Sequence, residues 1–133
     1  VAFEEIEHTA DWALKVQGAD LAELLVNAAR GMLELAGVEL GGQQGVERNI
    51  KIRSLDRESL LVEFLQELVV ALELRQAAFH EIHIETDEMR ELTATVREVP
   101  YRAMAKPIKA VTYNELRIEA GPQGLSTTVV FDV

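Results

Sequence analysis

The sequence predicts an α+β fold: a single compact domain over residues 1–133, mainly antiparallel sheet, with two principal helices at about 20–36 and 57–75. Two observations carry this. Two long stretches repeat their apolar residues at the helical period, and the remaining apolar residues fall in short alternating runs. Those runs cluster instead of alternating regularly with helices, which favours segregated α+β over a doubly wound parallel sheet.

The first alternating run is Trp12, Leu14 and Val16, interleaved with Ala13, Lys15 and Gln17. The first helix opens at Asp20, whose carboxylate can accept from the free N–H groups of the first turn. Glu23 completes a capping-box spacing. Leu21, Leu24, Leu25, Ala28, Ala29, Met32 and Leu33 then lie on one face, and Gly37 is the natural stop. Gly41-Gly42-Gln43-Gln44-Gly45 reads as a loop. Val46, Ile50 and Ile52 suggest another strand, with Arg48 breaking its period.

The second helix follows Ser54 or Asp56. Leu61, Phe64, Leu65, Leu68 and Leu72 form its main face, and Leu60, Val62, Val69, Val70, Ala71 and Leu74 widen it, so this helix should be sandwiched. Phe79–Glu85 and Leu92–Val96 read as a strand pair around the polar turn Thr86–Arg90. Two β-rich runs close the chain, Ile108–Glu119 and Ser126–Val133, the latter after the turn Gly121-Pro122-Gln123-Gly124.

Composition narrows the function. The chain has no cysteine, which removes disulfides, thiolate metal sites and thiol nucleophiles. Its net charge is −10, and nine acids against two bases fall within residues 1–47. Such a chain is repelled by phosphate backbones and anionic lipid, so strong direct nucleic-acid binding and membrane association are not expected. No run approaches the roughly 18 apolar residues of a membrane helix, and the N-terminus does not read as a secretory signal. A cytoplasmic location is the expectation.

No P-loop, dinucleotide fingerprint or nucleophile elbow occurs. His80 and His83 are an odd number apart in a strand and face opposite ways, a poor chelating pair. Two features stand out: the turn Glu7-His8-Thr9-Ala10-Asp11-Trp12, and Asp132 near the end of the apolar strand Val130-Phe131-Asp132-Val133. Thr9 or Asp11 can simply stabilise a turn. If the last strand meets the first turn, however, Asp11, Asp132 and a main-chain oxygen of Val133 converge. Three hard oxygen donors suit Ca²⁺, Mg²⁺ or Mn²⁺.

Glu7-His8-Thr9-Ala10-Asp11, Lys109-Ala110-Val111-Thr112-Tyr113 and Phe131-Asp132-Val133 together resemble the archease family. The first helix and the Leu60–Leu68 segment fit the same pattern, so the likeness covers nearly the whole chain. Two departures are Asn114, where the family usually has histidine, and Phe64, where it usually has tryptophan.

The resemblance implies a non-catalytic accessory protein in tRNA splicing and tRNA processing. Its partner is an RtcB-type RNA ligase, whose GTP-dependent guanylylation and multiple turnover it promotes. It also implies a divalent-metal site at Asp11, Asp132 and Val133, with Ca²⁺ as the first expectation and Mg²⁺ or Mn²⁺ as alternatives. Glu7, His8, Thr9 and Lys109 are then candidates for ligase activation or contact. Tyr113 is expected to pack. A second implied role is a chaperone or specificity modulator of a tRNA cytosine methyltransferase. A small metal-dependent hydrolase is a third reading, weakened because only His8 and Glu7 resemble an acid–base pair.

Overall fold

The chain folds as nine strands and two helices among its described residues, which in this computed structural model are 2–7 and 12–133, with Glu7 described by its backbone alone. The strands are β1 (Phe3–Glu7), β2 (Trp12–Gly18), β3 (Val38–Leu40), β4 (Val46–Arg53), β5 (Ala77–Thr86), β6 (Glu91–Met104), β7 (Ala110–Thr112), β8 (Glu119–Gly121) and β9 (Gly124–Asp132). Helices α1 (Leu21–Leu35) and α2 (Arg57–Leu74) match the expected helices to within a residue at each end. All strand pairs are antiparallel. One sheet runs β1-β2-β9-β7, with β8 also on β9; in the other, β6 is flanked by β5 on one side and by β3 and β4 on the other. The expected α+β architecture is the observed one.

Both helices touch both sheets, α1 through β2 and β5, and α2 through β5 and β7. The caps explain where they start. Asp20 accepts from the Glu23 N–H at 2.9 Å, Glu23 Oε1 accepts from the Ala19 N–H at 3.0 Å, and Asp56 accepts from the Ser59 N–H at 2.8 Å. Gly37, at φ +66°, ends α1 in the left-handed conformation that glycine adopts without steric cost. A second link pins the start of α1 from afar. The β5–β6 turn, built on Asp87, sends Glu88 Oε1 to the Leu21 N–H at 3.1 Å.

α2 is buried nearly all round, through Leu60, Leu61, Val62, Phe64, Leu65, Leu68, Val69, Ala71 and Leu72. Leu74 instead points to solvent, 74% exposed, because the chain is leaving the core. Phe64 is fully buried with its ring 6.0 Å from that of Phe79, so it acts as a core residue. Gly31 sits inside α1 because a Cβ there would lie 2.6 Å from Leu14 Cδ2 and 2.9 Å from Phe3 Cγ.

Two strand expectations need correction. Ile108–Glu119 is not one strand: it forms the short β7 and β8, and both β7 and the segment that follows it are tied to α2. Gln66 Oε1 accepts from the Val111 N–H and Glu58 Oε2 from the Ile118 N–H. The strand expected to end at Val96 continues through Pro100 to Met104, and Val38–Leu40 pairs with its far part. Arg48 breaks the β4 period for a structural reason. On β6, the buried row Leu92, Ala94, Val96 continues to Glu98, which is only 7% exposed. Arg48 Nε lies 2.9 Å from Glu98 Oε2, and Arg75 grips the same carboxylate through Nε at 2.6 Å and Nη2 at 3.1 Å. Hydrogen bonding to Glu98 is the main cause that raises the Arg75 pKa, so its charge is secured.

Candidate functional site

Register brings the two sequence features to one end of the first sheet. Glu7, the last residue of β1, pairs with Trp12, the first of β2. Trp12 in turn pairs with Phe131 on β9. On the other side of β9, Ala110 pairs with Asp132, and the Lys109 N–H donates to the Asp132 main-chain oxygen at 2.8 Å. The residue after Asp11 and the residue before Asp132 are therefore cross-strand partners, and Lys109 is tied to Asp132 from the opposite edge.

Strand alternation sets the exposure here. Phe131 is fully buried in the core, so Asp132 turns outward and is exposed, while Val133 is half-buried. Lys109 is exposed beside it. Thr112 anchors β7 to β9, its hydroxyl donating to the Val130 carbonyl at 2.9 Å. Tyr113, expected to pack, is instead 55% exposed, because the chain turns away from the sheet after β7. Asn114 is exposed too; its backbone N–H donates to Thr112 Oγ1 at 3.3 Å.

His8, Thr9 and Asp11, and the side chain of Glu7, lie outside the described residues. Among the described candidates, the structure brings together Asp132, Val133 and Lys109. Of the candidate ligands only the outward Asp132 carboxylate is a described side chain, and among the described residues no group of three or more histidine, cysteine or acidic side chains comes together as a metal site.

One neighbour was not legible in the sequence as part of this region. Lys106 Nζ stands 4.8 Å from the centroid of the Trp12 ring, within cation–π range. Nothing in local spacing joins these two residues; only the lone tryptophan beside the turn hinted that the ring had a task. Gln66 was also missed as the residue that holds β7. Nothing in its local spacing set it apart from the other polar side chains of α2, Glu63 and Glu67.

The sequence profile of the Archease protein family (MTH1598/TM1083) matches residues 3–133. The chain belongs to the archease family. "Protein archease" of Methanosarcina acetivorans is 33% identical over 140 residues, covering 98% of this chain and 95% of that protein. The archease of Archaeoglobus fulgidus is 31% identical, covering 96% of each. Among solved structures, a Thermotoga maritima protein described as "an archease, possible chaperone" superimposes with a TM-score of 0.73 at 29% identity, covering 98% of this chain and 96% of that one. The solution structure of Methanobacterium thermoautotrophicum protein 1598 gives a TM-score of 0.74 at 28% identity, over 99% of both chains. Archease membership thus agrees with the motifs at Glu7–Asp11, Lys109–Tyr113 and Phe131–Val133. Among the described residues, no helix of this family member is long and apolar enough to cross a membrane.

Proposed function

We propose that this archease-family protein is an activator of an RtcB-type RNA ligase. In this reading it promotes GTP-dependent guanylylation and multiple turnover in tRNA splicing, and is not itself a catalyst. A divalent cation, Ca²⁺ first and Mg²⁺ or Mn²⁺ otherwise, is held by Asp11, Asp132 and a main-chain oxygen of Val133. The observation that carries the reading is the register at the end of the first sheet, where Trp12 pairs with Phe131 and Lys109 binds the Asp132 backbone. A motif residue from each end of the chain and one from the Lys109–Tyr113 motif thereby lie at one end of the same sheet.

The chemistry divides among these residues. Asp132 and Asp11 supply negative charge for the cation, whose role when bound is to neutralise phosphate oxygens. Lys109 supplies a mobile ammonium that contacts phosphate or a ligase carboxylate. Glu7, His8 and Thr9 flank the metal turn and orient it. The chain's charge of −10 suits docking on a cationic protein cleft and opposes direct RNA binding, so the RNA pathway is served through the partner.

The test is RNA joining by the matching ligase in excess substrate, with and without this protein. Asp11→Ala and Asp132→Asn should reduce stimulation at least tenfold while leaving the unfolding midpoint within a few degrees. Full stimulation by both variants contradicts the metal site; no stimulation by the unaltered protein contradicts the ligase role. A second reading, a chaperone or specificity modulator of a tRNA cytosine methyltransferase, is favoured by the description "possible chaperone" attached to the Thermotoga maritima structure. Protection of such a methyltransferase from aggregation, without any change in ligase turnover, would select it.

A further inference from the structure

A cleft of about 470 Å³ lies along β1, at the margin of the first sheet. It touches Phe3, Glu4 and Glu5 in succession. Successive strand residues point to opposite faces, so a cleft that meets three in a row follows the strand's backbone edge. Among the described residues β1 is hydrogen-bonded on one side only, to β2, which leaves the N–H and C=O groups of its outer edge available for pairing.

The floor of the cleft is apolar, made by the buried Leu14 and Leu35 with the α1 backbone at Gly31. Its far wall is Gly37 and the exposed Ala105. Charge at the rim has one dominant sign. Glu4, Glu5 and Glu34 line it, and none forms an ion pair within 4 Å among the described residues. The one cation on the rim among the described residues, Lys106, stands over the Trp12 ring.

We propose that this cleft receives an extended, cationic segment of a partner protein, added to β1 as a further antiparallel or parallel strand. One apolar side chain of that segment rests on Leu14 and Leu35, the lysine or arginine side chains next to it meet Glu4 on the opposite face of the strand, and cationic side chains at its ends meet Glu5 and Glu34. Main-chain pairing supplies affinity in this mode and the alternate side chains supply specificity. The charge of β1 itself, Phe-Glu-Glu-Ile-Glu, selects against the other occupants. A second copy pairing through β1 would set acidic strands side by side, where like charges directly opposite are destabilising. Nucleic acid is repelled by the same carboxylates. The inference goes beyond ligase activation, and it stands or falls separately from the metal site at the strand ends.

The probe is a fluorescein-labelled heptapeptide alternating arginine and valine, titrated with this protein by fluorescence anisotropy at physiological salt. A heptapeptide of the same charge with proline as its central apolar residue is the control for charge alone, since proline removes a ladder donor. The alternating peptide should bind at least tenfold more tightly than the proline peptide, with amide shifts in the protein's ¹H–¹⁵N spectrum centred on Phe3, Glu4 and Glu5. Glu4→Lys combined with Glu34→Lys should weaken binding at least tenfold, and Ala105→Phe, which fills the cleft from an exposed position, should do the same with an unchanged unfolding midpoint. No binding of the alternating peptide, equal binding of the two peptides, shifts centred elsewhere, or indifference to both variants would each overturn the proposal.

Discussion

Removing Arg75 should destabilise this protein more than removing the buried acid it serves. Glu98 is 7% exposed and receives three charge-assisted contacts, two from Arg75 and one from Arg48. The side chains of Arg75 and Arg48 remain 34% and 45% exposed. Arg75→Ala deletes two of the three contacts and strands a carboxylate that water reaches poorly. A net worth of roughly 1.5–3 kcal/mol per bond to a charged group, discounted for the exposure of the arginine, gives a loss of about 2–4 kcal/mol. Glu98→Leu instead leaves two arginines free to turn to solvent and puts an apolar side chain in the Leu92-Ala94-Val96 row. Its cost should be about 1–2 kcal/mol. Urea unfolding of both single variants and the double variant measures this, with the double variant close to Glu98→Leu alone. A change of 1 kcal/mol corresponds to roughly 4 °C in Tm for a chain of this size. An Arg75→Ala variant that loses under about 1 kcal/mol, or a Glu98→Leu variant that loses more than Arg75→Ala, would contradict a stabilising role for the arginines around Glu98.

Two smaller perturbations test how the elements are joined. The Asp87 carboxylate accepts from the backbone N–H groups of Met89, Arg90 and Glu91, and these bonds, Arg90 first, hold its pKa below the ordinary 3.8. A depressed folded pKa contributes stability that is present above the unfolded value and lost as pH falls through the folded one. Asp87→Ala should therefore lower the unfolding midpoint at pH 7, and the gap from the unaltered protein should shrink as pH falls below 3.8; a gap that widens in acid contradicts this origin. Gly31→Ala gains about 1 kcal/mol of helix propensity but forces Leu14 and Phe3 to yield, which costs about 1–3 kcal/mol. A net loss of about 1 kcal/mol in urea unfolding is expected, and a net gain contradicts the close contact.

The helices were legible because their information is local. Asp20, Glu23 and Gly37 mark the ends of α1, and the wide apolar face of α2 announces that it is enclosed. Strands were legible only where alternation is clean. β6 looked finished at Val96 because Glu98 interrupts the apolar row, and Glu98 is tolerated there only through Arg48 and Arg75, which come from distant positions. The division of Ile108–Glu119 into β7 and β8 has the same character, since it depends on Glu58 and Gln66 reaching across from α2. For the site, Asp132 was visible as an acid near the end of an apolar strand. Its meeting with Lys109 and the strand end at Trp12 is fixed by register, which long-range pairing decides. The contact of Lys106 with Trp12 left no trace in local spacing, and Tyr113 looked like a packing residue because large aromatic side chains usually bury most of their area.

Activation of the ligase through the metal site is tested most directly by the number of ligation turnovers per ligase molecule, with Ca²⁺, Mg²⁺ or Mn²⁺ supplied in turn. Multiple turnover is expected with the unaltered protein and near single turnover with Asp132→Asn. The protein's one tryptophan, Trp12, should also report cation addition by a fluorescence change that this variant loses. Multiple turnover sustained equally by Asp132→Asn, with no cation-dependent change in Trp12 fluorescence in either protein, would contradict activation through that site.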